Sequence, residues 1–332
     1  MNNLKTITLL FSSFFSIITI AQNDNQGTDP VPKEEKFIQL STNNFITENN
    51  ETRMIFKRKG NFYISWGYNR AFFGKSDIHF WGDGYNFNIT DLNAHDEPGG
   101  HDFLTYIKPT MFTIPQFNYR MGYFLTDKTY VTFGSDHMKY SLDKQVTLLT
   151  GTIDAGSNAG VYNNTEVLVC EEGESGVYLP AYVETLPHGF VKEFEHCDGL
   201  NDFSFEIGHL EQLWISKSGN HAFSAQGTLG SGMMIPDSDV DLLEYEPRHD
   251  AEAGKKAYHL AGYSFSASVG LQLDFFKHFF LIGKLKSGYI NLPDIHTTAM
   301  GGKASQHFTF IEPMLVVGYS HDFFKCCKKH DN

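Results

Sequence analysis

Beyond residue 20 the sequence has no uninterrupted apolar run long enough for a membrane helix, so a bundle of apolar helices, each needing ~20 such residues, is excluded. It has no glycine-rich phosphate loop, no dinucleotide fingerprint and no internal repeat beyond hairpin-like alternation, which removes the common nucleotide chemistries. Positive charge is scarce: 26 Lys and Arg stand against 39 Asp and Glu, for a formal net charge of -13. Such a chain repels phosphate backbones, and no nucleic-acid partner is expected. Cysteine is sparse too, with four residues and no zinc-site spacing. Cys170 and Cys197 share one polar segment and are a candidate disulfide in an exported chain. Cys326 and Cys327 are adjacent in the basic tail "KCCKKHDN", where free thiols, an intermolecular bond and metal capture all stay open.

The chain begins "MNNLKTITLLFSSFFSIITIAQ", with one positive charge at Lys5, an apolar run from Thr6 to Ile20 and the small residue Ala21. This pattern predicts a secretory signal peptide over 1–21, cleaved after Ala21. The stretch that follows is rich in Asn, Gln, Pro, Glu and Thr without apolar period, so 22–58 reads as a flexible periplasmic spacer.

From residue 59 onward apolar residues alternate with polar ones at a period of two. Phe62, Ile64, Trp66 and Tyr68 oppose Asn61, Ser65 and Gly67; Phe117, Tyr119, Met121, Tyr123 and Leu125 oppose Gln116, Asn118, Arg120 and Gly122. The longest case is "HLAGYSFSASVGLQLDF", where one face is greasy and the other small and polar. Strands are predicted near 61–72, 112–126, 129–150, 200–215, 220–233, 258–274, 278–290 and 307–323. The connections alternate between tight turns ("TDKT", "SKSGN", "FFKH") and long polar loops over 73–111, 154–199, 236–257 and 293–306. An even strand count with short turns at one end and long loops at the other describes an all-β, eight-stranded antiparallel transmembrane β-barrel over 59–324, followed by a basic tail over 325–332. Aromatics make up 15% of the chain, and girdles at two interfaces account for them. The lumen of so small a barrel is filled by its own side chains. Inward Arg120, Glu206, Asp274, Lys284, Lys286 and Glu312 then require one another as partners. Pro313 interrupts the last strand, where a bulge is expected.

The stretches "WGYNRAFFGKSDIHFWGDGYNFNI", "TIPQFNYRMGYF", "GSDHMKY", "CDGLN", "FFKHFFLIGKLKSGYINLPDI" and "ASQHF" together resemble a family of largely uncharacterised bacterial outer-membrane β-barrel proteins. The leader ending "IAQ" is similar to those of Bacteroidota exports. The resemblance implies the fold and a place in the cell outer membrane, and no activity; a barrel there is expected to contact outer-membrane lipid and lipopolysaccharide and to be handled by the barrel-assembly machinery. Such barrels usually end on an aromatic residue, whereas Phe323 and Phe324 are followed here by eight more residues.

Chemistry-bearing residues concentrate in the expected external loops. Asp77, His79, His95, Asp96, His137 and His307 are candidate catalytic residues, because an imidazole oriented by a carboxylate serves as a general base. Asp77, His79 and His101 are candidate ligands for a divalent metal ion. Ser305 and His307 stand two apart at the start of the last strand. Two readings follow: a structural or ligand- and partner-binding barrel acting through its external loops, or an outer-leaflet enzyme, deacylase- or oxidase-like, that modifies lipid A.

Overall fold

The computed structural model describes residues 45–48, 51–99, 103–108, 110–111, 113–154, 156–157, 159–171, 179–187, 189–197, 199–245, 247 and 258–322. The expected signal peptide, the tail over 325–332, His101, Cys326 and Cys327 lie outside them. The described residues are all-β apart from single helical turns. In order it forms β1 (Phe45–Glu48), β2 (Glu51–Met54), β3 (Phe62–Asn69), β4 (Phe72–Phe73), β5 (Ser76–Gly82), β6 (Tyr85–Leu92), β7 (Ala94–Asp96) and a one-turn helix α1 (Phe103–Ile107). Then come β8 (Phe117–Phe124), β9 (Thr129–Met138), β10 (Tyr140–Leu142), β11 (Gln145–Ile153), β12 (Thr165–Val169) and β13 (Val191–Glu195). The chain continues with β14 (Leu200–Ile215), β15 (Ala222–Pro236), β16 (Asp239–Leu242), β17 (Gly262–Phe275), β18 (Phe279–His296) and β19 (Lys303–His321).

Antiparallel pairing runs from β3 to β8, β9, β14, β15, β17, β18 and β19, and β19 returns to β3 through Gly318↔Ser65 and Leu315↔Tyr68. A ladder that returns to its start is a closed ring with no free edge. Its polarity is the reverse of a water-soluble core. Exposed apolar side chains stand on every ring strand: Ile64, Met121, Phe133, Phe205, Ile207, Leu229, Phe265, Leu271, Leu285, Leu315 and Val317. Buried inside are Asn118, Arg120, Asp136, Asp202, Glu206, Gln226, Ser268, Lys286 and Glu312.

The inward charges are partners, as the alternation required. Arg120 donates to Asp136 at 2.7 Å and Glu206 at 3.1 Å, while Lys286 lies 2.5 Å from Asp136 and 3.0 Å from Asp202. Asn69 donates to Glu312 at 2.6 Å. Toward the short turns the polar plug gives way to rings, with Tyr63 centred 5.5 Å from Phe124 and 5.7 Å from Phe280. Glycine makes room for two of them: a Cβ on Gly122 would meet Tyr63 at 2.3 Å and one on Gly318 would meet Phe280 at 2.0 Å. The expected spacer over 22–58 is more ordered at its end than composition implied. β1 and β2 pair antiparallel from Phe45↔Met54 to Glu48↔Glu51, and Arg58 is buried against Asp274 at 2.5 Å.

The long connections are not polar excursions, and here the sequence reading is corrected. The segment over 73–111 holds β5, β6 and β7, that over 154–199 holds β12 and β13, and that over 236–257 begins with β16. The connection expected over 293–306 shrinks because β18 and β19 run on to 296 and from 303. The strand expected over 129–150 divides into β9, β10 and β11. β5 pairs with the leading end of β19 and carries β6, β11 and β12 with it, while β16, β13, β10 and β7 form a second sheet. Between them lies a conventional apolar core of Ile78, Phe80, Phe87, Ile89, Leu92, Met138, Tyr140, Phe194, Leu242 and Phe308. Phe80 stacks on Phe87 at 4.9 Å and Tyr140 on Phe308 at 5.0 Å. The acidic-aromatic stretch from residue 73 to 89 is therefore a hairpin, with Tyr85, Phe87 and Ile89 all buried.

One strand changes the character of its outward face. At the leading end of β19 the buried residues are Ala304, Gln306, Phe308 and Phe310, while Ser305, His307 and Thr309 face outward; from Ile311 on the buried row is Glu312, Met314, Val316 and Ser320 and the outward row turns apolar with Ile311, Leu315 and Val317, Leu315 being 61% exposed. Pro313 sits just beyond this switch without disturbing the register to β18, where it faces Leu285. The interruption falls instead on its other neighbour. The Pro313 carbonyl accepts from Arg70 N–H at 3.2 Å, so its missing amide points to the place where the chain breaks between β3 and β4.

Candidate functional site

Just beyond the polarity switch, β5 lies against β19 in a register that sets His79 opposite Ser305 and Asp77 opposite His307. Directly opposed residues share one face of a sheet. The ladder thus gathers on its outward face four residues that are as much as 230 apart in the chain. Asp77 accepts the Asp91 N–H at 2.8 Å, and His79 Nε2 lies 2.9 Å from Asn86 Oδ1 with its ring 5.1 Å from that of Trp81. His307 faces the Tyr289 ring at 6.0 Å. Among the described residues no hydrogen bond joins Ser305 to either imidazole. The arrangement offers a carboxylate, two imidazoles and a hydroxyl to a polar group held above an apolar belt.

The remaining candidates sit elsewhere. His137 stacks on Phe117 at 5.0 Å, and its Nδ1 is 2.8 Å from Asn201 Oδ1. Asp96 is clamped by Arg70 and Gln116; burial nevertheless pushes its carboxyl above the usual range, against the opposing pull of Arg70. His95 is held by Asp143, with Nδ1 and Oδ1 2.6 Å apart, which turns Nε2 toward Glu97 at 4.0 Å.

Next to His95 the second sheet brings together Glu97, Glu195 and Cys197, whose donor atoms lie within 4.8 Å of one another. Among the described residues this is the one group of three or more His, Cys, Asp or Glu donors close enough to share an ion. Oxygen, sulfur and the neighbouring imidazole suit a borderline divalent ion by donor chemistry. The Cys197 thiol is 3.9 Å from Glu97 Oε2 and 3.5 Å from the Tyr140 carbonyl. Burial, then Glu195 and Glu97, push that thiol far above its ordinary range, and burial followed by Glu97 also raises Glu195. Sequence reading reached His95 but missed Glu97, Glu195 and Asp143, because only strand pairing places residues 48 to 100 apart side by side. The expected Cys170–Cys197 bridge is absent. Both are free thiols: Cys170 is in the apolar core, where burial pushes it up to about 12, and Cys197 faces the acidic group.

Between the two sheets His196 is fully buried against Tyr140 and Phe194, its ring centred 5.6 Å and 5.2 Å from theirs. Among the described residues neither ring nitrogen makes a hydrogen bond of ordinary geometry, and burial lowers its pKa to about 4, outweighing the opposite influence of the nearby Gln306.

No protein-family model matches the chain, and no curated protein matches it. Solved structures similar to it are outer-membrane proteins. They include Ail, the attachment invasion locus protein of Yersinia pestis, with 12% identity over 79% of this chain and 99% of that one and a TM-score of 0.26. The outer membrane protease OmpT of Escherichia coli has 9% identity over 79% and 96%, with a TM-score of 0.24. The Pseudomonas putida toluene transporter TodX has 11% identity over 80% and 90%, with a TM-score of 0.17.

Proposed function

We propose that the ring is an eight-stranded transmembrane β-barrel of the bacterial outer membrane that carries a folded β cap on the cell surface, and that the protein acts by binding a ligand or partner through that cap. The observation that carries this reading is the change along the outward row of β19, from Ser305, His307 and Thr309 at its leading end to Ile311, Leu315 and Val317 over the ring, while charged and amide side chains such as Arg120, Asp136, Lys286 and Glu312 are buried inside the ring. Water-soluble proteins rarely expose a contiguous apolar patch of more than roughly a few hundred Å². A belt continuous over every ring strand fits hydrocarbon, where a closed ladder leaves no unpaired backbone amide. Tight turns such as 216–221 and 276–278 then face the periplasm and the cap faces outward. Lumenal side chains are engaged with one another, so no wide channel is expected and the surface available for recognition is the cap.

Heat-modifiable gel mobility of the membrane-extracted protein tests the barrel. A folded ring migrates differently before and after boiling; identical mobility overturns the reading.

A second reading is supported by the convergence of Asp77, His79, Ser305 and His307 on one outward face at the rim of the belt: an outer-leaflet enzyme acting on the polar part of lipid A. Mass spectrometry of lipid A from a deletion strain decides between the two. An unchanged lipid profile removes the enzyme reading and leaves the binding one.

A further inference from the structure

The connection between β7 and β8 is the place where the cap returns to the ring, and its burial pattern is inverted. Within α1, Thr105 is 6% exposed while Leu104 is 59% and Ile107 58% exposed, and Ile114 is exposed a little further on. A single helical turn in water has no stability of its own to set against such exposure. It gains stability by burying an apolar face, and here the apolar face points away from the protein.

The surroundings identify what that face meets. Trp66 and Tyr68 belong to the outward row of β3, and from them the rings climb to the helix: Trp66 to Tyr68 at 4.4 Å, Tyr68 to Tyr106 at 5.0 Å. The Tyr68 hydroxyl donates to the Tyr106 carbonyl at 2.5 Å, fixing the turn to the ring wall. Tyr68 is registered with Leu315, on the belt side of Ile311, where the outward residues of β19 are apolar. The helix is thus attached to the belt itself rather than to the polar surface above the switch. Lys108 is exposed at its end, and a long cationic side chain beside an apolar turn reaches from hydrocarbon to a phosphate-bearing headgroup.

We propose that α1 and Ile114 form a membrane-surface anchor that seats Leu104, Ile107 and Ile114 among the acyl chains of the outer leaflet and so holds the cap down on the bilayer. This rests on the transmembrane reading of the ring and adds an element outside the ring to the lipid contact. Aromatic rings beside exposed apolar side chains are the usual composition of membrane-surface segments.

The test places a polarity-sensitive fluorophore at one site at a time, Ile107→Cys, Leu271→Cys or Lys192→Cys, in full-length protein reconstituted in phosphatidylcholine vesicles. Cys197, Cys326 and Cys327 are replaced by Ser; Cys170 is buried. Each probe is challenged with lipids bearing a nitroxide near the headgroup and, separately, with aqueous iodide. The Ile107 and Leu271 probes are expected to be quenched several-fold more by the nitroxide lipid than by iodide, and the Lys192 probe the reverse. An Ile107 probe that behaves like Lys192 while Leu271 is quenched from the lipid overturns the anchor alone. A Leu271 probe quenched only by iodide overturns the barrel and the anchor together.

Discussion

At the scale of single residues, the buried ionisable groups of the cap set its response to pH and to alkylating reagents. His196 has a folded-state pKa near 4, below the unfolded value of about 6.5, so the unfolded chain takes up its proton first as pH falls. The contribution of neutral His196 is whole above about pH 6.5 and is lost toward about pH 4, amounting to about 3 kcal/mol. His196→Phe keeps an aromatic ring against Tyr140 and Phe194, and its denaturation midpoint is expected to fall less between neutral and acid pH than that of the parent. Parallel pH dependences would refute the assignment. Cys197, with its thiol held protonated by burial and by two carboxylates, is expected to react with iodoacetamide far more slowly than an unperturbed thiol. Glu195→Gln should accelerate labelling, as read by intact-protein mass; an unchanged rate would show that the carboxylate does not act on the thiol.

At the scale of the element, two-residue alternation made the ring strands legible: the segments expected over 200–215 and 258–274 lie close to β14 and β17. Alternation reports that a strand has two unlike faces and carries no sign for which face is buried. The same period serves Phe308 and Phe310, packed in the cap, and Leu315 and Val317, exposed on the ring. The cap was therefore read as loops, since its strands are short, Asp- and Asn-rich on their outer side, and paired with partners far along the chain. The candidate residues were legible by type, Asp77 with His79 above all. Their alignment with Ser305 and His307 was not, because that depends on a register set between residues more than 200 apart. Close approach between strands gives a test of its own. Gly318→Val brings side-chain atoms into the Phe280 ring, and overpacking of this kind typically costs about 1–3 kcal/mol. A lower thermal midpoint of heat-modifiability is the expected result, and an unchanged one would place the ring elsewhere.

At the scale of the whole molecule, the lumenal ion network acts as a plug. Lys286 sits among Asp136, Asp202 and Glu206, and Lys286→Ala leaves these acids buried without their shared cation; breaking a buried pair in this way costs about 3–5 kcal/mol. The variant is expected to lose its compact unboiled form at lower urea concentration than the parent. The parent itself should give no conductance steps in a planar bilayer, and steady channel currents would contradict a filled lumen. The double engagement of β19 has a further consequence for the order of events. It is the last strand of the ring, yet it is the partner of β3 along its trailing half and of β5 along its leading half. An early hairpin thus waits for residues near the far end of the chain before it has anything to dock on. Ring closure and cap docking both require the same nineteen-residue strand.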